Sequence, residues 1–310
     1  MVLLAAAGTV LYTFYHKHNN YTSTFFSLDT VVCIQSDSNI INESKTEIQR
    51  INNIFDIYSP SSDAYILNKN KTLNQCPDII SAVKQTFALN DNFGPAVDIT
   101  SGKINLLWHN ETENGRIPEN SDIQKALEYR GSENVSIGED GEITLSCGIS
   151  LDFGAVAKGY ALDRLYNMYT DQDIHNAVVS FGSSVLLYSI DKDKTFDVSV
   201  RSDHDTIAGT VTVNPCFVSS SGDYERYTEI DNVRYHHIID LSTGFPTDTG
   251  LKSVTVFSDA GLKSDFLSTM IFIDGVSSVS KYLSSPDFDV VATDNDGNIY
   301  VSQGITLKKS

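Results

Sequence analysis

The sequence predicts an α+β fold in which mixed sheets are flanked by helices. Three observations predict it. Some stretches carry apolar residues at helical spacing, as at Ile48, Ile51, Phe55 and Tyr58. Others alternate or run apolar over six to ten residues in the manner of strands. Hairpin signals, Asp231-Asn232 and Asp296-Gly297, join neighbouring strands where a βαβ series would need crossover helices.

In chain order, residues 25–35 read as a strand and 43–58 as a helix. Residues 78–89 and 122–129 are further helix candidates. Residues 143–151 form a strand that runs into a turn at Asp152-Phe153-Gly154, and 155–169 is an amphipathic helix. A β-rich region follows, with strands in 177–190, 196–201, 207–213, 234–240 and 251–258. Residues 264–273 and 276–283 read as helices. A last hairpin pairs 289–292 with 298–302. No repeat or low-complexity segment interrupts this order.

The chain has 310 residues, enough to bury a core without staples. Its formal net charge of -18 repels phosphate backbones and excludes nucleic acid as a partner class. An anionic ligand would need a cation or helix N-termini to hold it. Cys33, Cys76, Cys147 and Cys216 show no CxxC spacing, which argues against a zinc site. They read as buried free thiols, with one or two disulfides open outside the cytosol.

Residues 2–15 are uncharged and mostly apolar, and His16, Lys17 and His18 follow. The run is short against the ~20 residues of a membrane span. It fits a signal h-region or an anchor remnant, with a buried first helix as the alternative. The expectation is a segment 1–24 of signal or anchor plus polar linker, and a folded body over 25–310. That body would be extracytoplasmic, membrane-anchored or secreted.

Three stretches carry chemistry. In Asp152-Phe153-Gly154-Ala155-Val156-Ala157-Lys158-Gly159-Tyr160, a strand ends, Gly154 permits a turn and a helix begins. Free N–H groups at that start, with Lys158, can hold a phosphate, and Asp152 can accept from a ribose or base. A capped helix with a solvent-facing lysine reads equally from this stretch alone. Asp265 and Thr269 share one helix face, with Ser268 beside Thr269. A carboxylate with hydroxyls suits magnesium, and it also suits a cap whose hydroxyls bond back into the helix. In Tyr235-His236-His237-Ile238-Ile239-Asp240-Leu241-Ser242-Thr243-Gly244-Phe245-Pro246, a strand meets a sharp turn. A histidine there can serve as general base. Adjacent strand residues point to opposite faces, so the two histidines do not readily share one ion. Two hydroxyl-rich loops, 96–102 (before Leu106-Leu107-Trp108) and 219–224, are weaker pocket candidates.

Together and in order, these pieces resemble the ApbE family of flavin transferases. The resemblance spans about residues 25–301. It rests on Asp152 to Asp163, on His237 to Pro246 and on Asp265 to Thr269. Asp98, Thr100 and Trp108 add to it, as does the run of Tyr58-Ser59, Ser62-Asp63 and Leu67-Asn68. It implies transfer of FMN from FAD to a Thr or Ser hydroxyl of an acceptor protein, with Mg2+ required and AMP released. It implies flavin contacts at Leu28, Tyr58, Asp98, Ile99, Thr100, Asp152, Lys158 and Ile239. It implies metal ligation by the Ala155 carbonyl, Asp265, Ser268 and Thr269, with His237 as the base, oriented by Asp240. It further implies an acceptor that is a flavoprotein subunit of a membrane electron-transport system, Rnf-like or Nqr-like. The alternatives are an FAD pyrophosphatase and a non-catalytic FAD-binding protein. The chain departs from the family pattern at Leu28-Asp29-Thr30, Gly182-Ser183-Ser184, Leu241 and Phe266. The family often has Asn at the position of Ser184.

Overall fold

The structure, a computed structural model, describes residues 10–12 and 21–309. Most of the predicted export segment therefore lies outside the described residues. Within it, the backbone of Val10–Tyr12 is a strand that pairs antiparallel with Val198–Val200. No helix among the described residues is long and apolar enough to cross a membrane.

Among the described residues there are seven α-helices: α1 (Ile41–Phe55), α2 (Asp63–Asn70), α3 (Pro77–Phe93), α4 (Gly102–Glu113), α5 (Asn120–Leu127), α6 (Ala157–Asp171) and α7 (Gly261–Asp274). The chain forms two compact units. The first comprises residues 1–50, 158–225 and 248–310, and the second comprises 51–157 and 226–247.

The first unit is built on an eight-stranded sheet in the order Ile299–Val301, Asp289–Asp294, Leu251–Ser258, Cys216–Gly222, Ser184–Ser189, Asn176–Phe181, Thr30–Ser36, Tyr21–Ser27. Every pairing is antiparallel. A four-stranded sheet contains Phe196–Asp203 and Thr206–Val213. Inward residues of the two sheets, among them Val178, Val185, Leu187, Val198 and Val211, share one core. Helix α7 packs on Cys216–Gly222 and Leu251–Ser258. Ten of its residues are buried, among them Leu262, Phe266, Leu267, Met270 and Ile271.

The second unit holds α2 to α5, a three-stranded sheet and two short ribbons, Tyr227–Ile230 with Val233–His236 and Ile239–Asp240 with Phe245–Pro246. Its core includes Ile104, Trp108, Ile123 and Ile239.

Several expectations are corrected. The strand expected over 25–35 is a hairpin. Leu28 and Asp29 both take positive φ (49° and 54°) in a two-residue turn between Ser27 and Thr30. Residues 177–190 likewise split into two strands at Gly182 (φ 71°). Helices α2 and α4 were not anticipated. Residues 276–283 yield only a 3-10 turn, Val279–Lys281. The supposed loop at Ser219-Ser220-Ser221-Gly222 lies in a central strand, where the hydroxyls find partners: Ser219 with Ser264, Ser220 with Thr255, Ser221 with Ser268. Helix α6 begins at Ala157, so Ala155 sits in the preceding turn. All four cysteines are free; Cys33 and Cys76 are buried as expected, whereas Cys216 is partly buried and Cys147 is exposed.

Candidate active site

In the first unit, four predicted residues come together. Asp265 lies in the second turn of α7, 4% exposed. Its Oδ1 accepts from Ser184 Oγ at 2.5 Å and its Oδ2 from the Gly159 backbone N–H at 2.7 Å. Lys158 Nζ stands 3.8 Å from the same Oδ2. These donors leave lone pairs free on each carboxylate oxygen. One turn on, Ser221 Oγ lies 3.0 Å from Ser268 Oγ and 3.2 Å from Thr269 Oγ1. Ser268 also donates to the Asp265 carbonyl at 3.0 Å. The back-bonding reading of that hydroxyl is thus realised for Ser268. Leu28, also in this unit, is half-buried in its hairpin turn.

This donor set consists of oxygen: one buried carboxylate and three hydroxyls. Among the described residues, no cluster of three or more His, Cys, Asp or Glu side chains is placed to hold a metal. A cation on α7 would thus be bound through one carboxylate and neutral oxygens. Such a set fits magnesium, which keeps few protein ligands and shares phosphate oxygens.

The second unit positions the remaining candidates. Helix α1 stops at Phe55, and Asp56 accepts the N–H groups of Tyr58 and Ser59 at 2.8 and 3.1 Å. That turn presents Tyr58, 45% exposed, with its ring centroid 4.7 Å from that of His109. In the loop before α4, Asp98 Oδ1 accepts the N–H and hydroxyl of Thr100, at 2.8 and 2.6 Å. Thr100 Oγ1 in turn accepts the Gly131 N–H at 2.6 Å. The Ile99 carbonyl accepts the Asp152 N–H at 2.8 Å, which joins two predicted flavin segments. Asp152 Oδ1 caps Gly154 N at 2.8 Å, and its Oδ2 accepts from Asn105 on α4 at 3.0 Å. Asn68 clamps the preceding backbone, accepting the Leu151 N–H at 2.7 Å and donating to the Leu151 carbonyl at 2.8 Å.

The two histidines diverge as strand geometry requires. His236 is buried, with Nε2 2.8 Å from the Thr247 carbonyl oxygen and Nδ1 accepting from Ile238 N–H at 3.3 Å. His237 is exposed, and its Nδ1 lies 3.1 Å from the Arg226 carbonyl oxygen. Asp240, expected to orient it, caps its own turn, accepting from Ser242 N–H and Oγ at 2.8 and 2.7 Å. An aspartate at the head of a tight turn bonds locally before it reaches back along a strand. Ile239 is buried in the core of this unit, and the Gly244 carbonyl accepts from Trp108 Nε1 at 2.7 Å.

Sequence reasoning missed Asn105, and it gave no role to Asn68, Ser184 or Asp163. Ser184 was visible only as a departure from the family pattern. Asn105 had no signal, because the helix that carries it was not anticipated.

The ApbE family model matches residues 22–292. The chain belongs to the ApbE family. An FAD:protein FMN transferase of Klebsiella pneumoniae is 31% identical over 244 residues, which is 77% of this chain and 73% of that protein. One of Treponema pallidum is 30% identical over 233 residues, 69% and 63% of the two chains. Among solved structures, the ApbE protein of Thermotoga maritima aligns with a TM-score of 0.82 at 28% identity, over 92% of this chain and 98% of that one. The apo flavinyl transferase ApbE of Pseudomonas stutzeri aligns with a TM-score of 0.79 at 19% identity, over 93% and 97%, a likeness of fold.

Proposed function

We propose that this chain is an FAD:protein FMN transferase that requires magnesium. The observation that carries the reading is the buried Asp265 carboxylate with the Ser268, Thr269 and Ser221 hydroxyls, in a member of a family whose relatives bear that activity. Asp265, Ser268, Thr269 and the Ala155 carbonyl are the residues that would hold the metal. Magnesium, when bound, supplies positive charge against a pyrophosphate that a chain of net charge -18 would otherwise repel.

Lys158 adds a second positive charge for the phosphates. Leu28, Tyr58, the Asp98–Thr100 loop, Asp152 and Ile239 take the flavin and ribose contacts. His237 is exposed, as a base must be if its proton comes from another protein's hydroxyl. It removes that proton; the hydroxyl oxygen forms a bond to the FMN-side phosphorus, and the bond to the AMP oxygen breaks. Positioning and electrostatics supply most of the acceleration in such a transfer. The acceptor we propose is a flavin-carrying subunit of an Rnf-like or Nqr-like membrane system, met outside the cytoplasm, with residues 2–15 as export signal or anchor.

The test is to incubate the purified protein with FAD and Mg2+, with and without a threonine-bearing acceptor domain, and to score AMP and acceptor mass. AMP with an FMN-sized gain, lost in Asp265→Ala and His237→Ala, supports the transferase. AMP with free FMN and an unmodified acceptor points instead to a pyrophosphatase. Bound FAD with no AMP at any magnesium concentration overturns the enzymatic reading.

A further inference from the structure

The first N–H groups of a helix have no partner within the helix, and a polar side chain at the N-cap normally takes one of them. Helix α7 begins after Ala260, whose methyl group cannot accept. The cap comes from another helix. Asp163, on α6, accepts the Gly261 N–H through Oδ1 at 2.6 Å and the Leu262 N–H through Oδ2 at 2.9 Å.

Two further contacts lock the same helix pair. Gly159 and Gly261 meet backbone to backbone. A Cβ on Gly159 would lie 2.1 Å from the Gly261 carbonyl oxygen, and one on Gly261 would lie 2.3 Å from that of Gly159. The Gly159 N–H then reaches Asp265 at 2.7 Å. Helix α6 therefore grips α7 at Gly261-Leu262 and again at Asp265, four residues on and so on the same face. A one-residue rotation of α7 turns it by ~100° and carries Asp265, Ser268 and Thr269 off that face.

We propose that Asp163 is a positioning residue for magnesium: by capping α7 from α6, it fixes the helix azimuth at which Asp265, Ser268 and Thr269 are presented. The inference rests on the assignment of magnesium to that set. A carboxylate suits the task better than an amide. It accepts two N–H groups at once, whereas an Asn offers one oxygen. Its negative charge also favours a cation nearby, so both consequences of its removal weaken metal binding.

The test uses the full chain with Asp163→Asn, Asp163→Asn/Ala260→Ser, and Asp259→Asn as a control at the same helix end, where the side chain is 81% exposed. Magnesium binding is followed by titration calorimetry without FAD, and the magnesium dependence of AMP release is measured separately. Loss of an outer-shell partner typically weakens metal affinity 10–100-fold. The expectation for Asp163→Asn is a rise of at least about tenfold in the magnesium dissociation constant, in line with that range. AMP release at saturating magnesium should recover to within a few-fold, and Asp259→Asn should bind as wild type does. In the double variant, the Ala260→Ser change supplies an N-cap hydroxyl from α7's own chain, so thermal stability returns while the magnesium constant stays raised.

Asp163→Asn with a lowered melting temperature and an unchanged magnesium constant would make Asp163 a structural cap and overturn the inference. So would a double variant that restores stability and affinity together. A wild-type chain that binds no magnesium overturns the metal assignment and this inference with it. Wild-type binding with Asp163→Asn unaffected overturns this inference alone.

Discussion

Ser184 Oγ donates to Asp265 Oδ1 at 2.5 Å, and both side chains are buried. The serine belongs to the Gly182-Ser183-Ser184 stretch at which the sequence departs from the pattern the resemblance implies, and its hydroxyl falls directly on the candidate metal carboxylate. Ser184→Ala would leave a buried carboxylate oxygen without that donor. The expected loss is about 1–3 kcal/mol of stability, read by urea denaturation without magnesium. Ser184→Asn restores a donor amide and should recover part of it. Equal stability of all three proteins would show the contact to be idle.

Asp163 bears on pH dependence. Burial pushes its carboxyl up to about 6 from 3.8, and the Leu262 and Gly261 N–H groups only partly offset this. The folded protein therefore holds this proton more tightly than the unfolded chain does. The group's contribution to stability is full below about pH 4 and is lost as pH rises through about 6. The stability of wild type minus that of Asp163→Asn should fall across this window by on the order of 2–3 kcal/mol. Denaturation series between pH 4 and 7 measure it, and a flat difference would place Asp163 at an ordinary carboxylate value.

Trp108 holds the turn that follows the candidate base. Its Nε1–H bonds the Gly244 carbonyl, and its ring stacks on Tyr235 with centroids 5.8 Å apart. Trp108→Phe keeps an aromatic ring but orphans a buried carbonyl, for a loss of about 1–3 kcal/mol. A Trp108→Phe protein as stable as wild type would remove this turn's anchor from the account.

The thiols should react unequally. Cys147 is exposed, while Cys33 and Cys76 are buried. Burial pushes the Cys216 thiol up to about 12. An aromatic disulfide reagent at pH 8 should titrate a single fast thiol in the native protein, absent in Cys147→Ser. Two or more fast thiols would contradict the packing around Cys33, Cys76 or Cys216.

Much of this molecule was legible before its structure. The strand Leu251–Ser258 and the turn at Asp231-Asn232 lie where periodicity and turn chemistry put them. The hairpin at Leu28-Asp29 was hidden because its first turn residue is leucine, which is not a usual choice for a positive φ. Helix α4 was hidden because its apolar residues cluster as Leu106-Leu107-Trp108 and Leu106 faces outward. The serine strand passed for a loop because its hydroxyls are satisfied by residues 35 to 48 positions away, which no local pattern records. The site behaved alike. The motif residues could be named from the sequence, but the donors to Asp265 lie 81 and 106 positions from it.

The pairing of Thr30–Ser36 with Asn176–Phe181 places a clock on biogenesis. Cys33 lies opposite Ser180, 180 − 33 = 147 residues later. At a synthesis rate of about 5–20 residues per second, this strand waits roughly 7–30 s with only the hairpin partner Tyr21–Ser27 on its other flank. Long-range pairing of this kind slows folding and leaves strand edges bare. An aggregation-prone interval of the nascent chain thus comes early, while Val31, Val32 and Ile34 are made and the neighbour that will cover their edge is not.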